Sequence, residues 1–421
     1  MIEKTEYKNI GETVFEGTLD NGLRIRVIPK PGFSSFYAVY GTKYGGAMRR
    51  FEVDGVKKDT PAGVAHFLEH KMFDLPGGEN ALTILSSNGA DPNAFTSSCM
   101  TCYYFSCTDL FEENLRTLLH FVSTPYFTPE TVQKEQGIIG QEIQMVQDSP
   151  GNRIYYGLLG LLYENHPIKE EVAGTIDSIA EITDQTLYDC HKVFYAPSNM
   201  CLCVEGDVDV ERVFEIAAEE LPKEKSPVPH ADYGKSESLY PVSKRFELEM
   251  PVSAPQFLIG SKVKGDSFRD RLVSSLCTRL LFGSSSPFYN RLYSEGILNR
   301  DFDADVDFSA DTATFMVGGE SDRYDTVYEE LVREVENLNI DDRYFQRIKK
   351  SAIGGKLRSM EVFDDVCVST LFGVLDGYNY FDSMEEFEKI TKEDCENWIK
   401  LNLCEEKLAM AVVKPLKAAD R

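Results

Sequence analysis

Two histidines and a glutamate lie within five residues of one another in the run HFLEH, which is residues 66–70. On a helix, His66 and His70 project about 40° apart, and Glu69 lies about 60° to the other side of His66. The surrounding run PAGVAHFLEHKMFD is largely apolar, so this helix is expected to be buried. Unpartnered buried imidazoles and carboxylates are costly, and a divalent cation removes that cost. The pattern indicates either a metal site or a set of hydrogen-bonded core histidines.

A second polar pair lies in the run TVQKEQGIIGQEIQMV, where the apolar period predicts a helix over residues 130–148. Relative to Ile139, Glu135 and Glu142 project at about −40° and −60°, inside an arc whose other members are apolar. Solvated carboxylates favour the opposite face of such a helix. The pair therefore needs a cation, a hydrogen-bond donor or a metal, unless the side chains reach water along the helix flank.

Composition argues against several classes of partner. The formal net charge of the 421 residues is −25, which repels phosphate backbones and anionic membranes, so neither nucleic acid nor a membrane is expected. The acidity fits either a preference for basic peptides or simply a well-solvated surface. The N-terminal run carries charges where a signal peptide needs an apolar core, and the ten cysteines are expected to be buried thiols. These features predict a cytoplasmic protein.

The length favours two domains. A Pro-, Ser- and Lys-rich stretch predicts a linker over residues 223–245, between an N-terminal domain, 1–222, and a C-terminal domain, 246–421. Each half shows strands first, long helices next and a terminal strand. Residues 48–60 are expected to be irregular, Pro61 to open the His-Glu-His helix, and residues 342–372 to form one helix.

The spacing His66-x-x-Glu69-His70, followed 72 residues later by Glu142, resembles the inverted zinc motif of the insulinase/pitrilysin metallopeptidases, which include mitochondrial processing peptidase. Glu135, seven residues before Glu142, fits the same pattern. Further matches lie at Leu19–Leu23, Asn93–Thr96, Gly174-Thr175, Tyr195–Met200 and Gly206-Asp207. The runs HFLEHKMFD, NAFTS and QKEQGIIGQEIQM are also similar to a bacterial branch of the family associated with 5-aminopentanol modification of elongation factor P.

This resemblance implies an α+β fold of two similar halves, each a mostly antiparallel sheet layered with helices, arranged as a clamshell around peptides. It implies that His66, His70 and Glu142 bind one zinc ion per chain, with water in the open position. Glu69 is then the general base. Glu135 is the carboxylate that orients the site.

The same resemblance assigns the segment Asn93, Ala94, Phe95 and Thr96 to substrate binding. In the family, this edge strand receives the peptide as an added β-strand, held mainly by backbone hydrogen bonds. The C-terminal half is expected to lack zinc ligands.

One stretch departs from the family pattern. Active single-subunit relatives carry an Arg and, seven residues later, a Tyr that hold substrate, whereas Tyr293 and Asn299 stand at the corresponding positions here, in a stretch one residue shorter. The departure predicts a heterodimer in which a sister subunit supplies the Arg/Tyr pair. The leading hypothesis is a zinc endopeptidase subunit acting on short or unfolded peptides. The alternative is a non-proteolytic scaffold or maturation factor in elongation factor P modification.

Overall fold

The computed structural model describes residues 1–417 and contains mixed helices and strands. The strands are β1 (Glu3–Tyr7), β2 (Glu12–Thr18), β3 (Arg24–Pro29), β4 (Phe36–Thr42), β5 (Arg50–Val53), β6 (Val56–Asp59), β7 (Asp91–Thr96), β8 (Thr101–Cys107), β9 (Met200–Gly206), β10 (His230–Ala231), β11 (Arg245–Met250), β12 (Gln256–Lys262), β13 (Asp303–Ser309), β14 (Thr312–Glu320) and β15 (Ala409–Pro415). The helices are α1 (Val64–Lys71), α2 (Ala81–Ser87), α3 (Phe111–Ser123), α4 (Pro129–Gln147), α5 (Pro150–Leu162), α6 (Ile176–Ala180), α7 (Asp184–Phe194), α8 (Val210–Glu220), α9 (Phe268–Phe282), α10 (Pro287–Ser294), α11 (Tyr324–Glu336), α12 (Asp342–Ser359), α13 (Phe363–Asp376), α14 (Ser383–Lys389) and α15 (Lys392–Asn402).

The chain forms two compact units, and neither is continuous in sequence. The first unit comprises residues 1–143, 170–233 and 357–381, and the second comprises 144–169, 234–356 and 382–417. The predicted division into 1–222, 223–245 and 246–421 is linear. In the structure two segments are exchanged: residues 144–169 belong to the second unit and residues 357–381 to the first, which no linear division describes.

Each unit is built on one main sheet with its own apolar core. The first unit has the order β1-β2-β3-β9-β4-β8-β7 beside a small sheet, β10-β5-β6, and the second unit has the order β11-β15-β12-β14-β13. In the main sheets only β3 and β9, and β11 and β15, run parallel. The five strands β3-β9-β4-β8-β7 correspond one by one to β11-β15-β12-β14-β13. The prediction of an α+β fold with two similar, mostly antiparallel halves is confirmed.

The exchanged segments occupy equivalent positions in the two units. Helix α13 packs on β9, β4 and β3 of the first unit, and α5 packs on β15, β12 and β11 of the second. Each of these helices follows directly after a long helix, α12 or α4. The predicted single helix over residues 342–372 is therefore wrong: the chain leaves the helix at residues 360–362, and α13 belongs to the first unit.

Two local predictions also differ from the structure. Residues 48–60 are not irregular, because β5 and β6 pair as a hairpin that turns at Asp54 and Gly55, both with positive φ. Helix α1 begins at Val64 and not at Pro61, since Gly63 caps it in a left-handed conformation with φ 93°.

One buried histidine of the first unit makes stability depend on pH. His191 stacks on Tyr195 with ring centroids 4.8 Å apart, and its Nε2 donates to the Val122 carbonyl at 3.0 Å. Burial lowers the pKa of His191 to about 4, against the opposing effect of that hydrogen bond. The unfolded chain has a histidine pKa of about 6.5 and takes up the proton first. The stabilisation from neutral His191 is therefore complete above about pH 6.5, decreases as the pH falls below that value, and is fully lost once the pH has fallen through about 4.

We expect the His191→Asn variant to show a flatter pH dependence of unfolding than the wild type. Between pH 7 and pH 5 the wild type should lose about 2 kcal/mol more of its free energy of unfolding than the variant. Urea unfolding at the two pH values measures the difference. His120→Asn, at an exposed position, is the control and should keep the wild-type slope. An unchanged slope in His191→Asn would contradict the assignment.

Candidate metal centre

Helix α1 is positioned by a close backbone crossing. A Cβ on Gly63 would lie 2.5 Å from the Ala173 carbonyl oxygen, and a Cβ on Gly174 would lie 2.6 Å from the Ala62 carbonyl oxygen. Both glycines have positive φ, 93° and 76°. The first turn of α1 can therefore approach residues 173–174 only with glycine at these two positions.

We expect Gly63→Ala to lower the free energy of unfolding by at least about 2 kcal/mol, because it adds a steric clash to backbone strain. Gly89→Ala is the matched control, since Gly89 has φ 76° but a Cβ there would meet nothing within 4 Å. That control should cost about 1 kcal/mol, the strain alone. Denaturant unfolding of both variants measures the difference, and equal losses would show that the crossing is not tight.

Helices α1 and α4 bring three metal-ligand groups together. His66 Nε2 lies 3.5 Å from Glu142 Oε1, and His70 Nε2 lies 3.5 Å from Glu142 Oε2. One ligand atom from each of the three residues can be chosen so that all lie within 4.8 Å of one another. Two imidazoles and one carboxylate are a catalytic zinc donor set, and ligand atoms around tetrahedral zinc lie about 3.4 Å apart. The residues therefore fit a zinc ion.

Glu135 lies on the far side of His70 from Glu142. Its Oε1 is 3.1 Å from His70 Nδ1, so a proton on Nδ1 is donated to Glu135 and the lone pair of Nε2 faces the Glu142 carboxylate. Burial lowers the pKa of His70, but the Glu135 hydrogen bond and the charges of the neighbouring carboxylates outweigh burial and raise it overall. The hydrogen bond from His66 holds the pKa of Glu142 below its ordinary value, against the effect of burial.

Glu69 lies beside this group but has a different partner. The side chain is buried, and its Oε2 accepts a hydrogen bond of 2.5 Å from Thr96 Oγ1. Thr96 Oγ1 also lies 3.2 Å from Thr101 Oγ1, which donates to the Tyr44 carbonyl. Sequence reasoning placed Thr96 on the substrate strand and missed its contact with Glu69. No local pattern reveals that contact, because it joins a strand to a helix 27 residues away.

The remaining residues of the predicted substrate strand lie on β7, which is an edge strand paired only with β8 in the main sheet. The Asn93 side chain accepts a hydrogen bond of 2.9 Å from the Ala94 N–H, and Phe95 is half-buried against Tyr104. Since Thr96 contacts Glu69, β7 passes directly beside the glutamate of α1. The open edge of β7 therefore offers backbone groups to an extended chain near the His-His-Glu group.

Tyr293 and Asn299, the two positions at which the family resemblance leads us to expect an Arg/Tyr pair, belong to the second unit. Tyr293 is exposed near the end of α10 and stacks on Tyr289 with centroids 5.5 Å apart. The Asn299 carbonyl accepts a hydrogen bond of 3.3 Å from the Tyr289 hydroxyl. Arg291, the arginine of α10, is ion-paired with Glu330 and Glu334.

On this α+β fold, a His-His-Glu group lies beside a separate buried glutamate. This arrangement of residues is typical of a metallopeptidase centre. Residues 55–176 match the family model described as insulinase (peptidase family M16), and residues 181–352 match that of the peptidase M16 inactive domain. The chain is 35% identical over 432 residues to the uncharacterised zinc protease YmfH of Bacillus subtilis, covering 99% of this chain and 100% of that protein. The chain therefore belongs to the insulinase (M16) family.

Two solved structures are similar to the structure of this chain. An M16-like peptidase from Alicyclobacillus acidocaldarius is 30% identical and superposes with a TM-score of 0.91, covering 96% of this chain and 99% of that one. A protease from Helicobacter pylori is 18% identical with a TM-score of 0.84 and the same coverage, which shows the shared fold. Among residues 1–417, no helix is both long enough and apolar enough to cross a membrane.

Proposed function

We propose that this chain is a zinc-dependent endopeptidase subunit that cleaves short or unfolded peptides. The observation that carries the proposal is the convergence of His66, His70 and Glu142 beside a glutamate that is anchored elsewhere, by Thr96. A structural metal site needs no such additional carboxylate, whereas hydrolysis needs a general base within reach of water.

In this proposal His66, His70 and Glu142 hold the ion, and Glu135 keeps the His70 ring in place. The chemistry that a zinc ion would supply when held by these residues is that of a Lewis acid, which would lower the pKa of a water molecule and polarise a carbonyl group. Glu69 accepts a proton from the attacking water as the new C–O bond forms. It then gives the proton to the leaving amine as the C–N bond breaks.

The substrate is proposed to lie along β7 as an added strand. The backbone of residues 93–96 supplies the hydrogen bonds, so an extended conformation matters more than the side chains of the peptide. Folded proteins present few extended segments with free backbone groups. Binding along the open edge of β7 therefore favours short or unfolded peptides as substrates.

We further propose a heterodimer with a sister subunit that carries the Arg/Tyr pair and lacks zinc ligands. The support is that Tyr293 and Asn299 stand where the pair is expected, and that Arg291 is already ion-paired within the second unit.

The ten cysteines all lie in the described part of the chain and are free thiols, nine of them buried, which favours a reducing cytoplasm. The net charge of −25 argues against nucleic acid and anionic membranes as partners.

The test is peptide cleavage by the purified chain, alone and together with a sister subunit, with zinc measured in each preparation. We expect about one zinc per chain in both, slow or no cleavage by the chain alone, and cleavage by the pair that a chelator abolishes. Full activity of the chain alone would contradict the heterodimer. Failure of the zinc-loaded pair to cleave any unfolded peptide would contradict the endopeptidase assignment.

A second candidate is the non-proteolytic scaffold or maturation factor in elongation factor P modification. One observation favours a non-catalytic role: residues 181–352 match the family model of the M16 inactive domain. The connection to elongation factor P rests on the sequence resemblance alone. This candidate predicts that Glu69→Gln complements a deletion of the gene as well as the wild type does.

A further inference from the structure

The first unit contains a cavity of about 570 Å³ whose lining includes none of the residues of the candidate metal centre. Its floor is a row of side chains across three strands, Tyr37, Ser106 and Asp91, which are register partners on β4, β8 and β7. Asp91 and Thr96 are five residues apart on one strand and so face opposite sides of the sheet. Because Thr96 faces Glu69, the cavity lies on the side of the sheet away from the metal centre.

Aromatic rings form much of the cavity wall. Phe33 lies 5.6 Å from Phe363 between ring centroids, and Tyr37 stacks on Tyr104 at 5.7 Å. Phe33 is 56% exposed although it is a large apolar side chain. The faces of aromatic rings carry partial negative charge and attract cations within about 6 Å.

Three carboxylates line the same cavity: Asp91, Glu361 and Asp364. None of them has an ion-pair partner within residues 1–417, and no Lys, Arg or His lines the cavity. Asp364 also lies in the first turn of α13, where the helix dipole favours an acidic residue, so its presence has a structural reason. Asp91 lies on the edge strand β7, and Glu361 precedes the helix, so the three carboxylates come from different segments of the chain.

The carboxylates act on the aromatic wall. Burial raises the pKa of the Tyr104 phenol, and the negative charges of Asp364 and Asp91 raise it further. The electrostatic field of two carboxylates, Asp91 on β7 and Asp364 on α13, therefore acts on the Tyr104 ring. Such a field attracts a positive charge and disfavours an anion.

We propose that this cavity binds an organic cation, an alkylammonium or guanidinium group on an aliphatic chain. The carboxylates pair with the charge, and the rings receive the charge and the methylene groups. Two sources supply this chemistry: a free amine, or a Lys or Arg side chain of a peptide that lies along β7. The second source rests on the proposed use of β7 by substrates, whereas the binding of a free amine does not.

The experiment titrates the full-length, zinc-loaded chain in 150 mM salt with n-butylammonium and, separately, with n-butanol, by ligand-observed NMR. A second arm compares two fluorescent peptides that differ only by Lys or norleucine at one position, with the anisotropy measured on the Glu69→Gln variant so that cleavage is suppressed. We expect the cationic member of at least one pair to bind more tightly. The arm in which it does so identifies the source.

The double variant Asp91→Asn, Glu361→Gln should weaken the cationic ligand about tenfold. Phe33→Ala should weaken it severalfold through loss of the ring. Glu3→Gln, which removes a carboxylate from β1 at the opposite edge of the sheet, is the control and should change affinity less than twofold. Equal binding of cationic and neutral members in both arms would overturn the proposal, as would an equal effect of Glu3→Gln. Cleavage plays no part in these readouts, so a failed endopeptidase assignment leaves them interpretable.

Discussion

Peptide cleavage by the Glu69→Gln variant, assayed together with the sister subunit, is expected to fall by about 10²-fold or more while its zinc content stays unchanged. General-base catalysis contributes about 10²- to 10⁴-fold to such reactions, and a glutamine cannot accept the proton. Zinc is retained because Glu69 is not part of the His66, His70 and Glu142 group and has Thr96 as its partner. Steady-state cleavage of an unfolded peptide and metal analysis of the same preparations measure both quantities.

Two further variants make this result specific. Glu79→Gln removes an exposed carboxylate eight residues beyond the end of α1 and should leave cleavage and zinc content unchanged. Thr96→Val removes the hydrogen bond that holds Glu69 and should lower kcat while keeping the zinc. Equal activity of the wild type and Glu69→Gln would contradict the base assignment and favour the scaffold.

Zinc affinity of the Glu142→Ala variant is expected to fall far more than that of Glu135→Ala. Glu142 faces the Nε2 atoms of both histidines, at 3.5 Å each, so its loss removes one of three ligands. Glu135 touches only Nδ1 of His70, and loss of such an orienting partner costs about 10- to 100-fold in metal affinity. Competition with a chromophoric chelator at constant pH measures the two affinities.

The control for this pair is Gln141→Ala, an exposed position on the same helix that should bind zinc as the wild type does. Circular dichroism of each variant separates loss of metal from loss of folding. If Glu135→Ala loses more zinc than Glu142→Ala, the two glutamates have exchanged roles. If none of the variants differs from the wild type, zinc binds elsewhere.

Much of the candidate site follows from helix geometry, and that is why sequence alone predicts it. His66, Glu69 and His70 are neighbours on α1 because residues three and four apart share a helix face. Glu135 and Glu142 share a face of α4 for the same reason, and they meet His70 and His66 in the structure. The apolar period likewise predicts the helix over residues 130–148, and α4 is observed over Pro129–Gln147.

The sequence by itself determined the residue types of the candidate metal centre and their spacing and, through the family resemblance, the two similar α+β halves. Only the tertiary structure decided which sheet each helix covers: α5 belongs to the second unit and α13 to the first. A helical period shows that a face is apolar, but an apolar face packs equally well on either of two similar sheets. The Thr96 contact with Glu69 and the acidic aromatic cavity likewise depend on side chains far apart in sequence. Such contacts arise from packing, which no local pattern encodes.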